Sequence, residues 1–350
     1  MSTSTQGTLE YSHTVGFYGL IGRGFNNPVD LAFDRDGVLY VLNRAGADTE
    51  VRMYYKRVTV CTVDQVFLSE FSSGGTGDGQ IMWPSSIAID RDGNVYISDE
   101  ALQRISIFDK KGTFLGKWGT KGTGAGEFDR PAGLVFDKDD NLLLVDGLNN
   151  RIQRFTKDGR HLGSWGRAGT GDGEFNTPWG IAVDLTGNVY VADWRNDRIQ
   201  KFDEDGHHLG SFGTSGQGDG ELRRPSGVAV DQEGNIFVAD WGNERVQMLG
   251  PDGSFRARYR GESGLSKWSE EYYVPNRDEF EEREKADLEP ELDLFPPSTS
   301  LGQMDDYLRD ESASIEKLFW GPVAVKVDSQ GRLYVVETCR HRIQVYSKGH

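Results

Sequence analysis

The sequence predicts an all-β fold, a six-bladed β-propeller whose four-stranded antiparallel blades close into a ring. The first observation is a repeat. Pro84, Pro131, Pro178 and Pro225 stand 47 residues apart, with Pro28 56 residues before the first and Pro322 97 residues after the last. The second is what travels with the proline. An aspartate follows it by six residues (Asp34, Asp90, Asp137, Asp184, Asp231, Asp328), and an apolar side chain precedes it by three (Phe25, Ile81, Phe128, Phe175, Leu222, Phe319). The third is texture: short β-branched and aromatic runs punctuated by Gly, Asp and Asn, which is how antiparallel strands joined by tight turns read. A four-stranded sheet recurring about every 45 residues is a propeller blade.

The fourth unit shows the elements in order. Strand a is Gly180 to Asp184, and a turn at Leu185 to Gly187 leads to strand b, Asn188 to Asp193. Strand c is Arg198 to Phe202. A turn at Asp203 to Gly206 precedes strand d, His207 to Phe212, and a glycine-rich loop runs on to the next proline. The last unit ends only four residues after Tyr346 and has no strand d. The segment Leu9 to Gly19, with Phe17-Tyr18-Gly19, reads as the missing outer strand. Supplied from the N-terminus, it would cover an otherwise open edge.

Pro178-Trp-Gly-Ile-Ala-Val-Asp, Asn188-Val-Tyr-Val-Ala-Asp and Asn196-Asp-Arg-Ile-Gln resemble NHL repeats. The resemblance covers nearly the whole chain outside two insertions and implies the propeller fold. For function it implies several classes: RNA-binding and protein-binding modules, bacterial sensor domains, and a zinc lyase.

Composition narrows these. Residues 1–350 read as a single domain, and the 45 glycines suit many tight turns. A formal net charge of −16 argues against nucleic acid, which requires a basic surface, and against an anionic membrane face. Two cysteines, Cys61 and Cys339, form no disulfide framework. A polar N-terminus and the lack of an apolar run of about 18 residues predict a cytoplasmic protein, with a monomer as the expected state.

Both insertions fall on one face. Strand direction alternates, so the b–c and d–a connections share a face, called the top. Nine extra residues in the first unit lie between Asn43 and Arg57 (44–56), in a b–c loop containing Arg44, Asp48, Glu50, Arg52, Tyr54, Tyr55 and Lys56. Fifty extra residues lie between the fifth and sixth blades. That segment, 261–316, holds 17 acidic and 5 basic residues and has helical character at Glu279 to Lys285. Its charge density opposes burial. It is expected to be an accessory arm, attracted by Arg44, Arg52 and Lys56, without which the ring still closes.

Five units pair an acid ending strand b with an arginine five residues on: Asp99/Arg104, Asp146/Arg151, Asp193/Arg198, Asp240/Arg245 and Glu337/Arg342. A catalytic group would not recur in five blades, so these read as structural ion pairs bracing the b–c turns. Asp34-Arg-Asp-Gly37 and Asp90-Arg-Asp-Gly-Asn94 have a calcium-loop flavour but lack its distal glutamate, and Gly74–Gly79 and Gly122–Gly126 precede strands rather than helices. All four read as turns. The six histidines do not converge as a metal-ligand set, which the zinc-lyase reading requires.

Non-repeated residues on the top face remain. Arg44, Trp179, Trp194, Arg195, Trp241, Arg340 and His341 are of the types that anchor protein interfaces. The expected function is a non-catalytic scaffold or sensor that binds a protein or peptide there, with no cofactor. The alternative is a metal-dependent hydrolase or lyase of the lactonase-like class, with a divalent cation at the channel mouth.

Overall fold

The computed structural model describes residues 8–46, 55–288 and 303–349. It is a ring of six four-stranded antiparallel blades. From the innermost to the outermost strand, blade 1 runs from Pro28–Phe33 to Phe67–Phe71, blade 2 from Pro84–Ile89 to Phe114–Trp118, and blade 3 from Pro131–Phe136 to His161–Trp165. Blade 4 runs from Ile181–Val183 to His208–Phe212 and blade 5 from Pro225–Val230 to Phe255–Tyr259. Blade 6 contributes Pro322–Val327, Leu333–Glu337 and Arg342–Lys348, and its outer strand is Leu9–Val15. Leu9 lies opposite Lys348 and Val15 opposite Ile343, so the N-terminus closes the ring.

Why these residues make blades is visible in burial. The second strand of every blade is buried along its length, as in Val95–Asp99, because it faces a neighbouring blade on both sides. The outer strand alternates, as in Phe114–Trp118, with one face packed and one in water. The apolar residue three before each proline is fully buried, Phe128 and Phe175 among them. It seats between the outer strand of one blade and the body of the next.

The arginine that opens strand c has a wider task than the sequence predicts. Arg151 donates to the carbonyls of Thr123, Gly124 and Glu127 at 2.8–2.9 Å, and Arg245 to those of Gln217, Gly218 and Glu221 at 2.7–2.8 Å. Each guanidinium thus clamps the d–a loop that enters its own blade, satisfying carbonyls that no strand pairs. Asp146–Arg151, Asp193–Arg198, Asp240–Arg245 and Glu337–Arg342 lie at 2.8, 2.9, 2.6 and 2.7 Å. Asp99 and Arg104 depart from that set. Asp99 accepts the N–H groups of Met82, Trp83, Ala101 and Leu102, while Arg104 donates only to the carbonyls of Thr76, Gly77 and Gln80. The carbonyl clamp is therefore what these blades share, with the acid orienting the arginine where it is in reach.

The acidic insertion departs most from expectation. It forms three helices, α1 (Lys267–Tyr273), α2 (Arg277–Lys285) and α3 (Gln303–Ser314), where the sequence suggested one. Ser266 caps α1 by accepting from Ser269 N–H, and Trp268 behind it is 2 % exposed. Trp268 belongs to the core between blades 6 and 1, its ring 5.8 Å from Phe25 and 6.5 Å from Phe17. Its indole N–H donates to the Gln65 carbonyl.

Comparison with other seams shows what Trp268 replaces. Trp118 and Trp165 end the outer strands of blades 2 and 3 opposite Ile105 and Ile152. Each packs on a turn glycine of the next blade: a Cβ on Gly159 (φ +88°) would lie 2.6 Å from Trp118, and one on Gly206 (φ +86°) 2.6 Å from Trp165. At the closing seam the outer strand offers Val15 instead, and the turn residue is Gln65, at φ +62°. Trp268 fills the aromatic place from outside the repeat. The insertion is part of the core here, contrary to the reading of it as dispensable.

Candidate functional site

Each b–c turn carries a residue in the left-handed region, and five of these make one recurring contact. Gln103, Asn150, Asp197 and Glu244 accept the N–H of Arg130, Thr177, Arg224 and Gly321, the residue before the proline of the next blade, at 2.6–2.8 Å. At the closing junction His341 Nδ1 does this for Asn27, at 2.9 Å. His341 is thus an internal link. Burial holds its imidazole below the usual histidine range, and Tyr18 stacks on it at 4.9 Å.

Above this ring of links the top face is built from tryptophan–arginine stacks. Arg44 lies 4.8 Å from the Trp83 ring, Arg309 5.1 Å from Trp241, and Arg340 5.4 Å from Trp320. Arg195 and Arg224 both lie over Trp194, at 5.5 and 5.4 Å. A guanidinium over an indole face is worth about 0.5–1 kcal/mol when exposed. Its larger effect here is to hold both groups in place.

Three of these four stacks are wired inward. Arg44 pairs with Glu100 at 3.1 Å, and burial raises the carboxyl of Glu100 above its ordinary range. Arg309 stands 3.9 Å from Glu244, whose carboxyl burial pushes up to about 7. Arg340 donates to the carbonyls of Ser312, Ala313 and Ile315 at 2.9–3.1 Å, capping the C-terminal end of α3. Arg44 is taken by Glu100, and Lys56 is 1 % exposed and donates to the Arg44 carbonyl. Among the described residues, Arg44 and Lys56 make these contacts away from the insertion. Arg52, with Asp48, Glu50 and Tyr54, lies outside the described residues.

Trp194 differs. It opens a short 3-10 turn, Trp194–Asn196, in blade 4, and among the described residues neither Arg195 nor Arg224 donates a side-chain hydrogen bond or makes an ion pair. In the b–c turn of the preceding blade Leu148 is 46 % exposed, and Trp179, packed against the core between blades 3 and 4, lines the axis. Of the seven residues the sequence singles out, the structure leaves Trp179, Trp194 and Arg195 in one sector and commits Arg44, Trp241, Arg340 and His341 to internal contacts. Sequence reasoning missed Arg224, although its place immediately before Pro225 puts it on this face.

The axis itself is nearly filled. Residues from all six innermost strands enclose a cavity of about 30 Å³, room for a water and little more. Asp30 receives Ser86 Oγ–H at 2.6 Å and Lys326 at 3.1 Å across it. Among the described residues no three His, Cys, Asp or Glu side chains are grouped to hold a metal ion. The calcium-like turns satisfy themselves: Asp34 Oδ1 accepts the N–H of Asp36 and Val38, both at 2.9 Å. The glycine-rich loops do likewise, Gly124 N–H going to Glu127 at 2.9 Å. On the opposite face, grooves of about 450 and 460 Å³ share Phe33, Asp34, Arg35 and Asp36 as lining. No helix of the described residues is long and apolar enough to cross a membrane.

Comparison with known proteins agrees with this geometry. The NHL-repeat profile matches residues 175–202, 222–248 and 319–346, and a six-bladed β-propeller profile matches 76–155. A protein of unknown function from Bacteroides thetaiotaomicron superimposes with a TM-score of 0.61 at 16% identity, over 97% of this chain and 76% of the other. Virginiamycin B lyase from Staphylococcus aureus, crystallised with quinupristin, gives 0.54 at 12% identity over 94% and 82%. A streptogramin B lyase gives 0.55 at 12% over 97% of each chain. At such identity these likenesses show the fold alone. No curated protein sequence matches. Repeat profile, blade topology and ring closure together show a six-bladed β-propeller that carries NHL repeats.

Proposed function

We propose that the protein is a non-catalytic binding propeller that docks a protein or peptide on its top face, in the sector of blades 4 and 5. The observation that carries this is the Trp194 stack, with two guanidiniums that, among the described residues, make no side-chain hydrogen bond or ion pair. A rigid aromatic flanked by arginines is the composition of an interface anchor. Leu148, exposed in the b–c turn of the adjacent blade, adds apolar surface to the same face, and the repeat behind it fixes the backbone. The filled axis leaves the face, rather than the channel, as the place for a partner.

The test is recovery of a partner from extract of the source cells by the full chain and by a Trp194→Ala/Arg195→Ala variant. Truncation of such an anchor costs about 2 kcal/mol or more, so recovery should fall more than tenfold with the melting temperature unchanged. Equal recovery by a well-folded variant would refute the reading.

A further inference from the structure

Resting on that reading, we infer that the Trp194 sector captures an acidic peptide segment, its carboxylates taken by Arg195 and Arg224. The contrast between the four stacks carries this. Where arginine lies over tryptophan elsewhere on the face, the fold provides a partner: Glu100 accepts from Arg44, the end of α3 accepts from Arg340, and the Glu244 carboxylate stands 3.9 Å from Arg309 as an ion-pair partner. At Trp194 two guanidiniums converge on one ring and, among the described residues, nothing receives either of them. Both are exposed. Each presents a planar fork of donors that matches a carboxylate, and the indole holds both forks in place before any partner arrives.

The surroundings say which anion fits. The chain carries a net −16, of which −12 lies in the insertion 261–316. The d–a loops entering blades 4 and 5 carry Asp172 and Asp219, 73% and 53% exposed and paired at the rim with His208 and Arg258. At physiological ionic strength fields decay over about 8 Å, so the two guanidiniums form a local positive spot in an acidic surface. A short segment with one or two carboxylates feels the spot. A nucleic acid strand, charged at every phosphate, would extend past it onto the acidic loops. Leu148, 46 % exposed in the b–c turn of the adjacent blade, offers apolar surface on the same face for an aromatic or aliphatic side chain of the segment.

The experiment uses the full chain and fluorescein-labelled octapeptides built around Glu-Phe-Glu, Gln-Phe-Gln and Lys-Phe-Lys, with a labelled octathymidylate alongside, read by fluorescence anisotropy. The glutamate series should bind at least tenfold more tightly than the glutamine and lysine series, and more weakly as salt rises. An Arg195→Gln/Arg224→Gln variant should lose at least tenfold, whereas Lys138→Gln, on the opposite face, should lose nothing. Equal binding of glutamate and glutamine peptides, both abolished by Trp194→Ala, would overturn the carboxylate inference and leave the docking site standing. Tighter binding of octathymidylate would make nucleic acid the occupant and overturn it. No binding by any peptide would also overturn it, while partner recovery would still decide the broader reading.

Discussion

Trp268→Ala should destabilise the whole ring, although the residue lies in an acidic insertion outside the repeat. The indole is 2 % exposed and packs among Phe17, Phe25 and the buried residues of the blade 6–blade 1 seam. Truncating a buried aromatic to alanine costs about 3–5 kcal/mol, the lost transfer energy plus the cavity left behind. The Gln65 carbonyl loses its donor as well, and the strands around it cannot close the gap without moving Phe25. For a large domain each kcal/mol lowers the melting temperature by roughly 2–4 °C, so a fall of about 6–20 °C is expected by calorimetry or circular dichroism. Trp268→Phe should fall by much less, since it keeps most of the ring and loses only the N–H. Tyr272→Ala, which removes a ring 43 % exposed on the same helix, should hardly matter. An unchanged melt for Trp268→Ala would show that the insertion is accessory after all.

Two further outcomes follow from the closing junction. His341 must keep Nδ1 unprotonated to accept the Asn27 N–H, and the Tyr18 ring lies 4.9 Å from it. Its folded pKa is held below 6.5 by burial, so its contribution to stability is complete above pH 6.5 and lost as pH falls below it. His341→Asn, which reproduces the Asn150–Thr177 link of blade 3, should flatten part of the acid-side slope in urea melts, His13 keeping the rest; an unaltered slope would refute this. Deleting residues 1–20 removes the strand Leu9–Val15 and bares the edge of Arg342–Lys348, and the melting temperature should fall by on the order of 10 °C or more; an unchanged melt would refute closure by the N-terminus.

The blades were legible because the repeat is its own alignment. Each proline, aspartate and buried Phe or Leu is checked against five copies, and the strands of the fourth unit fall within a residue or two of the predicted bounds. What lies outside the repeat has no copy to check against. Nothing in the insertion's own sequence says that Trp268 is buried and Tyr272 is not. The signal was present elsewhere, in Val15 and Gln65, which stand where other blades have an aromatic and a glycine and so leave a space to be filled. The top face was half legible for a similar reason. Position places Trp194 and Arg195 on the top face, but whether an arginine is wired inward depends on residues brought from other segments. Glu100, Glu244 and α3 occupy Arg44, Arg309 and Arg340, and no spacing rule shows it. His341 was placed on the correct face and given the wrong task, because the contact it makes belongs to a five-fold pattern of differing side chains: Gln, Asn, Asp, Glu and His.

Photo-crosslinking in the source cells measures directly where a partner touches the ring. A photoreactive amino acid at position 195 lies beside Trp194, and one at position 139 lies in an a–b turn on the opposite face. Docking at the Trp194 sector gives a discrete protein adduct from position 195, lost when Trp194→Ala is added, and none from position 139. An adduct from 139 with none from 195 would contradict docking there.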